Sequence, residues 1–561
     1  MMQERKKYPL CLYKTQFIIK FICEAIYKII IGICFMLIFT CTKIPINPNH
    51  SIYPYLYRQS TNGILPQWIQ SARPLTIEQV LKSLNQIIES DKTNDNNRIL
   101  AEQFLSEFKS PEEDGLSLPL IKNNKLQNLL AYNISDKEPH LLSIKNDNSS
   151  LWMDWSENVA IVPSNNNQIY FQDNISVKSI ISKKISAYSQ FSMNRLVWRN
   201  GEGTIESVLP PDTIDWYNYN NEWAKYFPEV KSIFWYNSEA GISIDFDKIN
   251  FSMGRQNHSW GWSPNSSPIL SGNGMPFSYI EMKIIFDKIR FRSLHGSLMP
   301  LSSYEIHKIV FNSNKYIAAH RPEIDINNNF TISITEMAIY GNRNLDLDYI
   351  NPVHLYWAVE HNTGDRDNIL IAIDYSWRIK PRLRFYQVML LDEITWSKIL
   401  KPWWGNKFIF QSGLHFIPSS NPSIPDIRIE YSMSRPWIYT HKDTINNFSS
   451  ANISLGYPFG PSSDLISVST NFFPTSKIYI KGSFDYYRKG NGLGSSISHN
   501  YLDRDPVLDN DTPLLVKPIT YNRIITCLID YRLSRYIRVN CRFDSFSTND
   551  NQFRLGINWD W

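Results

Sequence analysis

Arg255, Gln256, Asn257, His258, Trp260 and Trp262 bring guanidinium, amide, imidazole and indole groups together within eight residues. Planar amides and guanidiniums grip pairs of hydroxyls, and aromatic faces stack on the apolar faces of rings. The set therefore has the chemistry of a site for a polyhydroxylated ligand such as a sugar. A plainer reading stands beside it: a loop folded into an interior and hydrogen-bonded to its wall, with Trp260 as an apolar peg. Composition alone does not separate the two. Asp365-Arg366-Asp367-Asn368 has the look of a cation loop, but Leu370 stands where an EF-hand requires Gly. A polar turn before a strand at Ile369 fits better. Asp392 and Glu393 are adjacent, so a strand would point them to opposite faces and they could not work as a paired acid and base. The chain contains no G-x-S-x-G, H-E-x-x-H or Walker A stretch and no C-x-x-C or zinc spacing. No catalytic residue, cofactor or metal site is expected.

The polar-aromatic cluster follows Ile249/Phe251/Met253, a run with a period of two, and that period dominates the chain from about Leu151 onward. Ile369, Ile371, Ile373, Tyr375 and Trp377 would share one strand face, and Ala372, Asp374, Ser376 and Arg378 the other. Ile427/Ile429/Tyr431/Met433 oppose Arg428, Glu430, Ser432 and Ser434 in the same way, and Ile478/Ile480/Gly482/Phe484/Tyr486 oppose Lys481, Ser483 and Asp485. The last residues, Phe553 to Trp561, alternate without a fault and end on an aromatic. Such a strand suits a transmembrane barrel, whose last stave pairs with its first and faces lipid outside and water inside. The spacing predicts an all-β fold, a large transmembrane antiparallel β-barrel of about 16–18 strands over residues 151–561. Alternation alone leaves a large soluble β protein open, since its polar face could meet solvent.

Upstream the period changes. Ile77, Val80, Leu81, Leu84, Ile87 and Ile88 follow helical spacing behind Thr76 as N-cap, and a second helix is expected from about Asn97 to Phe108. Residues 71–150 are read as a small N-terminal periplasmic helical region and linker, and 42–70 as an exposed lead-in. Residues 1–41 read as a signal peptide: Arg5, Lys6, Lys7, Lys14, Lys20 and Lys28 precede or flank the apolar run Ile29–Phe39, which is too short to span a bilayer as a helix. Removing its six basic and two acidic residues from totals of 57 and 53 leaves 51 of each. A near-neutral chain of this kind offers no field for nucleic acid. Cys41 follows a poor lipobox. Cys527 and Cys541 would sit opposite each other in a hairpin around Ser534, either as a cross-strand disulfide or, the preferred reading, as two small lipid-facing residues.

A set of short pieces stands in order along the chain: Gly254-Arg255-Gln256 with Trp260-Gly261, Leu270-Ser271 and Pro276-Phe277, then Arg292-Ser293-Leu294-His295-Gly296-Ser297-Leu298, Glu336-Met337-Ala338-Ile339-Tyr340-Gly341, Asn351-Pro352, Gly364-Asp365-Arg366-Asp367-Asn368, Tyr439-Thr440-His441 and Gly460-Pro461. In this ordered set the chain resembles a family, the Wzi-type capsule assembly proteins. One departure is Trp262-Ser263-Pro264 after Gly261, where relatives tend to have Gly-Pro directly. The resemblance implies an outer-membrane barrel that holds or organises surface polysaccharide. Arg255, Gln256, Asn257, His258 and Trp260 are then the first candidates for glycan contact, with Glu336, Arg343, Asp365, Asp367, Asn368, Arg435 and Tyr439 behind them. The expected partners are a capsular or extracellular polysaccharide, outer-membrane lipid, the outer-membrane assembly machinery and polysaccharide export proteins, and the expected state is a monomer. The rival readings are a diffusion or uptake porin lined by Asp374, Arg378, Arg428, Glu430, Lys481 and Asp485, an outer-membrane hydrolase for which no constellation is found, and a soluble secreted β protein.

Overall fold

A computed structural model describes residues 43–108, 115–117, 140–163, 168–182, 184–198, 225–227, 231–300, 314–393, 395–398, 401–507, 510–534, 536–547 and 551–560. The expected signal peptide, Cys41 and Trp561 lie outside the described residues. Eighteen antiparallel staves close into one barrel. They are β1 (Ser149–Val162), β2 (Gln168–Ile181), β3 (Ile185–Trp198), β4 (Ser232–Phe246), β5 (Ile249–Gln256) and β6 (Phe277–Phe286). Next come β7 (Ile289–Leu298), β8 (Lys315–Asn327), β9 (Phe330–Gly341), β10 (Asn368–Lys380), β11 (Leu383–Glu393) and β12 (Lys407–Phe416). The last six are β13 (Ile427–Ser434), β14 (Ser463–Thr475), β15 (Ile478–Gly490), β16 (Ile519–Arg532), β17 (Ile537–Phe546) and β18 (Gln552–Asp560). β18 closes on β1 with Gly556 opposite Ala160 and Asp560 opposite Ser156, as its alternation requires.

One end of the barrel is built from short turns, such as Asp247-Lys248 and Asp287-Lys288, and the other from long loops. The period of two sorts the side chains across the wall. Ile175, Phe191, Ile242, Phe251, Ile324, Ile334, Ile373, Ile429, Phe484, Ile525 and Leu555 stand exposed on the outside and make a continuous apolar belt. Between them Arg321, Asp374, Arg384, Gln411 and Glu430 point inward and are buried. An apolar exterior around a charged interior inverts the pattern of a soluble protein, where exposed apolar patches are small. Cys527 faces Phe543 and Cys541 faces Ile529 in the β16–β17 register, so the two thiols are offset rather than opposite, and both are free.

Three helices fill the short-turn end from within: α1 (Ile52–Asn62), α2 (Ile77–Glu89) and α3 (Asp95–Glu107). Thr76 caps α2 in a reciprocal box with Gln79, and the Asn94 side chain accepts from Asn97 N–H at the start of α3 (2.9 Å). Their apolar stripes form one core with Trp152, Ile180 and Phe473 of the wall. The reading of 42–70 as an exposed lead-in is corrected here. Ile52 through Thr61 are buried except Pro54, because α1 is held inside the barrel and meets protein on every side.

Candidate functional site

The expected Arg255–Trp260 constellation divides in the structure. Arg255 lies on β5 opposite Ala240 and Ser278, with the outward parity of the exposed Phe251 and Met253. Gln256 points inward, where its side-chain oxygen accepts from Tyr188 O–H at 2.9 Å. The chain then folds into the lumen. His258 is buried against Phe277 and Tyr279 (ring centroids 5.5 and 4.5 Å apart), and burial pushes its imidazole down to about 4, leaving it neutral. Trp260 and Trp262 are buried in a lumen core with Ile269, Leu270, Tyr439, Phe448 and Tyr457. Trp260 is thus the apolar peg of the plainer reading. Gly261 (φ +116°) permits this fold, since a Cβ there would stand 2.3 Å from Ser267 Oγ.

Hydrogen bonds fix the loop to both the wall and the helical plug. Ser263 and Ser266 donate to the Glu430 carboxylate at 2.8 and 2.6 Å, and Gly261 N–H donates to Ser71 C=O at 2.9 Å. Ala72-Arg73 pair with Ser259-Trp260 as a two-residue ladder. Plug and inward loop therefore form one packed column through the barrel.

The second-rank candidates are likewise occupied by protein. Tyr439 O–H donates to Pro268 C=O (2.6 Å) and accepts from Tyr457 N–H (3.0 Å), which ties two inward loops together. Arg435 donates to the carbonyls of Pro402, Trp403 and Asn406. Asn368 donates to Asn446 C=O at 2.9 Å. Arg343 makes a paired contact with Asp367 (2.6 and 2.7 Å), and Asp365 is exposed beside Lys442. Glu336 faces outward, where it holds His320 and two backbone N–H groups.

The filling is uneven around the barrel. On β10 to β13 the inward side chains are buried, whereas on β1, β15 and β17 most remain partly accessible, as do Gln172, Asn174 and Lys178 on β2. This accessible sector flanks the β18–β1 closure and is rich in amides: Asn158, Gln172, Asn174, Gln190, Asn540 and Asn558 all carry inward parity. Gln172 donates to Asn194 (3.1 Å), and Asn174 accepts from Ser192 (3.0 Å). Asn158 and Asn558 face each other across the closure, and the buried side-chain oxygen of each has no hydrogen-bond partner among the described residues.

At the short-turn end of this sector lies a cavity of about 350 Å³, within the ~300–1,000 Å³ range of ligand pockets. Its wall includes Trp152, Asn174, Ser176 and Gln190, with Asp154 bridging His140 (2.6 Å) and Lys178 (2.8 Å). The other acids are paired as well, Glu107 with Arg532 and Asp560 with Arg538. The cavity shares Lys178 and Gln190 with a smaller one that reaches Gln256 and Asn257. The arrangement offers amide pairs and aromatic edges with little net charge. It can grip neutral hydroxyl pairs; Ser176 O–H donates to the Asp154 carboxylate at 3.4 Å, and His140 contacts the other oxygen of that carboxylate. The sequence reading singled out none of β1–β3. The signal lay in their inward parity, Gln172/Asn174/Ser176/Lys178 and Gln190/Ser192/Asn194, where amides and hydroxyls repeat at every second residue.

No family model matches the chain, and no curated protein sequence does. Among solved structures the chain is similar to Wzi of Escherichia coli, described as an outer membrane protein involved in group 1 capsule assembly and a carbohydrate-binding β-barrel. The two share 11% identity over 92% of this chain and 99% of Wzi, with a TM-score of 0.55. OccAB4 of Acinetobacter baumannii covers 74% of this chain at 10% identity and a TM-score of 0.39. OprD of Pseudomonas aeruginosa covers 74% at 9% identity and a TM-score of 0.40. The likeness to Wzi establishes the fold, a large closed barrel of the outer-membrane type.

Proposed function

We propose that this chain is an outer-membrane barrel that binds a capsular or extracellular polysaccharide at the cell surface without altering it chemically. The observation that carries the reading is the half-filled lumen: a packed column occupies one side, and an amide-lined sector on β1, β17 and β18, extended by Gln172, Asn174 and Gln190, stays partly accessible. Gln256 and Asn257 remain in the proposed glycan path through the smaller cavity. The carbohydrate binding described for Wzi and the ordered sequence pieces support the same reading. Paired charges in the wall suit a glycan with few charges of its own. The apolar belt meets outer-membrane lipid, and the terminal strand is the segment offered to the assembly machinery. Export proteins that deliver the polysaccharide complete the partner set, and the barrel works as a monomer.

Replacing Asn174 and Gln190 together with Ala tests the site. A hydrogen bond contributes about 0.5–1.5 kcal/mol, so loss of both amides should weaken glycan retention about tenfold. Heat-modifiable migration on a gel should be unchanged, as evidence of an assembled barrel. Undiminished surface polysaccharide in the assembled double variant would refute the assignment. The porin reading has the accessible sector in its favour. Conductance in planar bilayers separates it from the leading one, because a barrel holding this column should pass little current.

A further inference from the structure

The loop between β9 and β10 does not rise away from the barrel. It folds down over the outer wall and carries two short helices, α4 (Leu347–Ile350) and α5 (Tyr356–Thr363). Tyr349, Tyr356 and Val359 pack on Ala318, Ala338, Tyr340 and Ile369. These wall positions alternate with the inward Ala319, Arg321, Met337 and Leu370, so they face outward. The flap is held in place by charge. The Glu336 carboxylate accepts from Tyr356 N–H (2.9 Å) and Trp357 N–H (2.7 Å) at the start of α5 and also contacts His320 (2.9 Å). At the other end Asp367 takes both Arg343 and Tyr349 O–H (2.9 Å).

The covered wall, though mostly apolar, carries two polar groups, Glu336 and His320, where the belt should be apolar throughout. The outward pair Ile334 and Ile373 belongs to the exposed belt, and the next outward pair on the same two staves is Glu336 and Ile371. A carboxylate and an imidazole facing acyl chains would be costly. The flap takes the place of lipid there, so its own outer side must continue the belt. That side carries large apolar residues, Leu347 at 79% exposure, Val353 at 80%, Leu355 at 68% and Trp357 at 54%, with Asp348 and His361 exposed beside them. Short amphipathic segments with Leu and Trp on one side lie in the boundary between headgroups and acyl chains.

We infer that the 342–367 flap is a lipid-binding surface whose Leu347, Val353, Leu355 and Trp357 face sits among the acyl chains of the outer leaflet. The inference rests on the reading of the barrel as membrane-inserted. The occupant is lipid because the patch is continuous with the belt on β9 and β10 and the two share one outward direction.

Single cysteines at Leu347, Leu355, Ile373 and Val507, in a chain whose other cysteines are replaced by Ala, can carry an environment-sensitive fluorophore. Each labelled protein is placed in phosphatidylcholine nanodiscs with doxyl-labelled phosphatidylcholine and, separately, with aqueous iodide. Ile373 reports the belt and the exposed Val507 reports water. The expected result is that labels at 347 and 355 behave like the one at 373, quenched by doxyl lipid and protected several-fold from iodide relative to 507. If 373 is in lipid while 347 and 355 quench with iodide like 507, the flap faces solvent or a soluble partner and the inference fails. If 373 itself is aqueous, the membrane reading falls first and takes the inference with it.

Discussion

Glu360 is a buried residue of α5 in the flap, with Asp365 and Asp367 close by. Burial and then those two carboxylates push its carboxyl up to about 8, against an ordinary value of 4.5, while Lys442 pulls the other way. A carboxyl raised on folding gives stability that is fully present below 4.5 and is lost as pH rises to about 8. Protection factors over 342–367, which divide out the base-catalysed rise of intrinsic amide exchange, should therefore fall between pH 6 and pH 9, and Glu360→Gln should flatten that fall. An unchanged profile in the variant would mean that another group controls the flap. Arg343 and Asp367 give a second test of the same segment. Asp367 is buried, so Arg343→Ala leaves a carboxylate without its guanidinium, a change that typically costs about 3–5 kcal/mol. Protease should then cut the flap in a barrel that still shows heat-modifiable migration, and resistance equal to the parent would argue against the lock. The sequence marked Asp367 as part of a polar turn before Ile369, and both residues as second-rank candidates for glycan contact. Their use was not legible, because a polar residue that reaches solvent and one that pins a loop to a wall look alike until the partner's position is known.

α1 shows what alternation and amphipathicity leave unread. Ile52–Asn62 has no polar stripe to mark it as helical, since plug, wall and turns surround it. Arg58 donates to the carbonyls of Ser419 and Asn421 (2.6 and 2.8 Å), Arg378 to Ser60 C=O (3.1 Å), and Arg384 to the Gln70 side chain (2.8 Å). Every one of these contacts joins residues from 314 to 363 positions apart, and no local pattern encodes them. α2 lay in plain view by contrast: a clean apolar stripe behind a Thr76/Gln79 box, both local features. Arg58→Ala should leave two turn carbonyls without a donor, at a cost of about 1–3 kcal/mol. Exchange of the α1 amides should rise while that of the β10–β13 ladder stays slow. Equal protection in both would show that apolar packing alone seats the helix.

At the scale of the molecule, the barrel follows from one repeated constraint. Apolar residues recur on the outward face at belt level, polar ones recur on the inward face, and closure of β18 on β1 leaves the sheet without a free edge. That constraint is local in sequence, which is why a count of 16–18 strands could be anticipated and eighteen are found. What fills the lumen is decided by contacts between distant segments, and the column of plug and inward loops is their sum. The column predicts transport behaviour. Intact protein should show low conductance in planar bilayers, because lumen residues from Arg321 to Glu430 are buried beneath it. Deleting residues 43–108 removes the helical half of the column and exposes Arg378, Arg384 and Ser376, which now bond to the plug. Conductance should rise, and the new pore should favour anions, since those staves then present arginines without their plug partners. If the deleted barrel assembles, judged by heat-modifiable migration, and still passes no more current than the parent, the loops around Trp260 and Tyr439 are the seal. The plug's role would then be to hold that loop column in register rather than to close the pore.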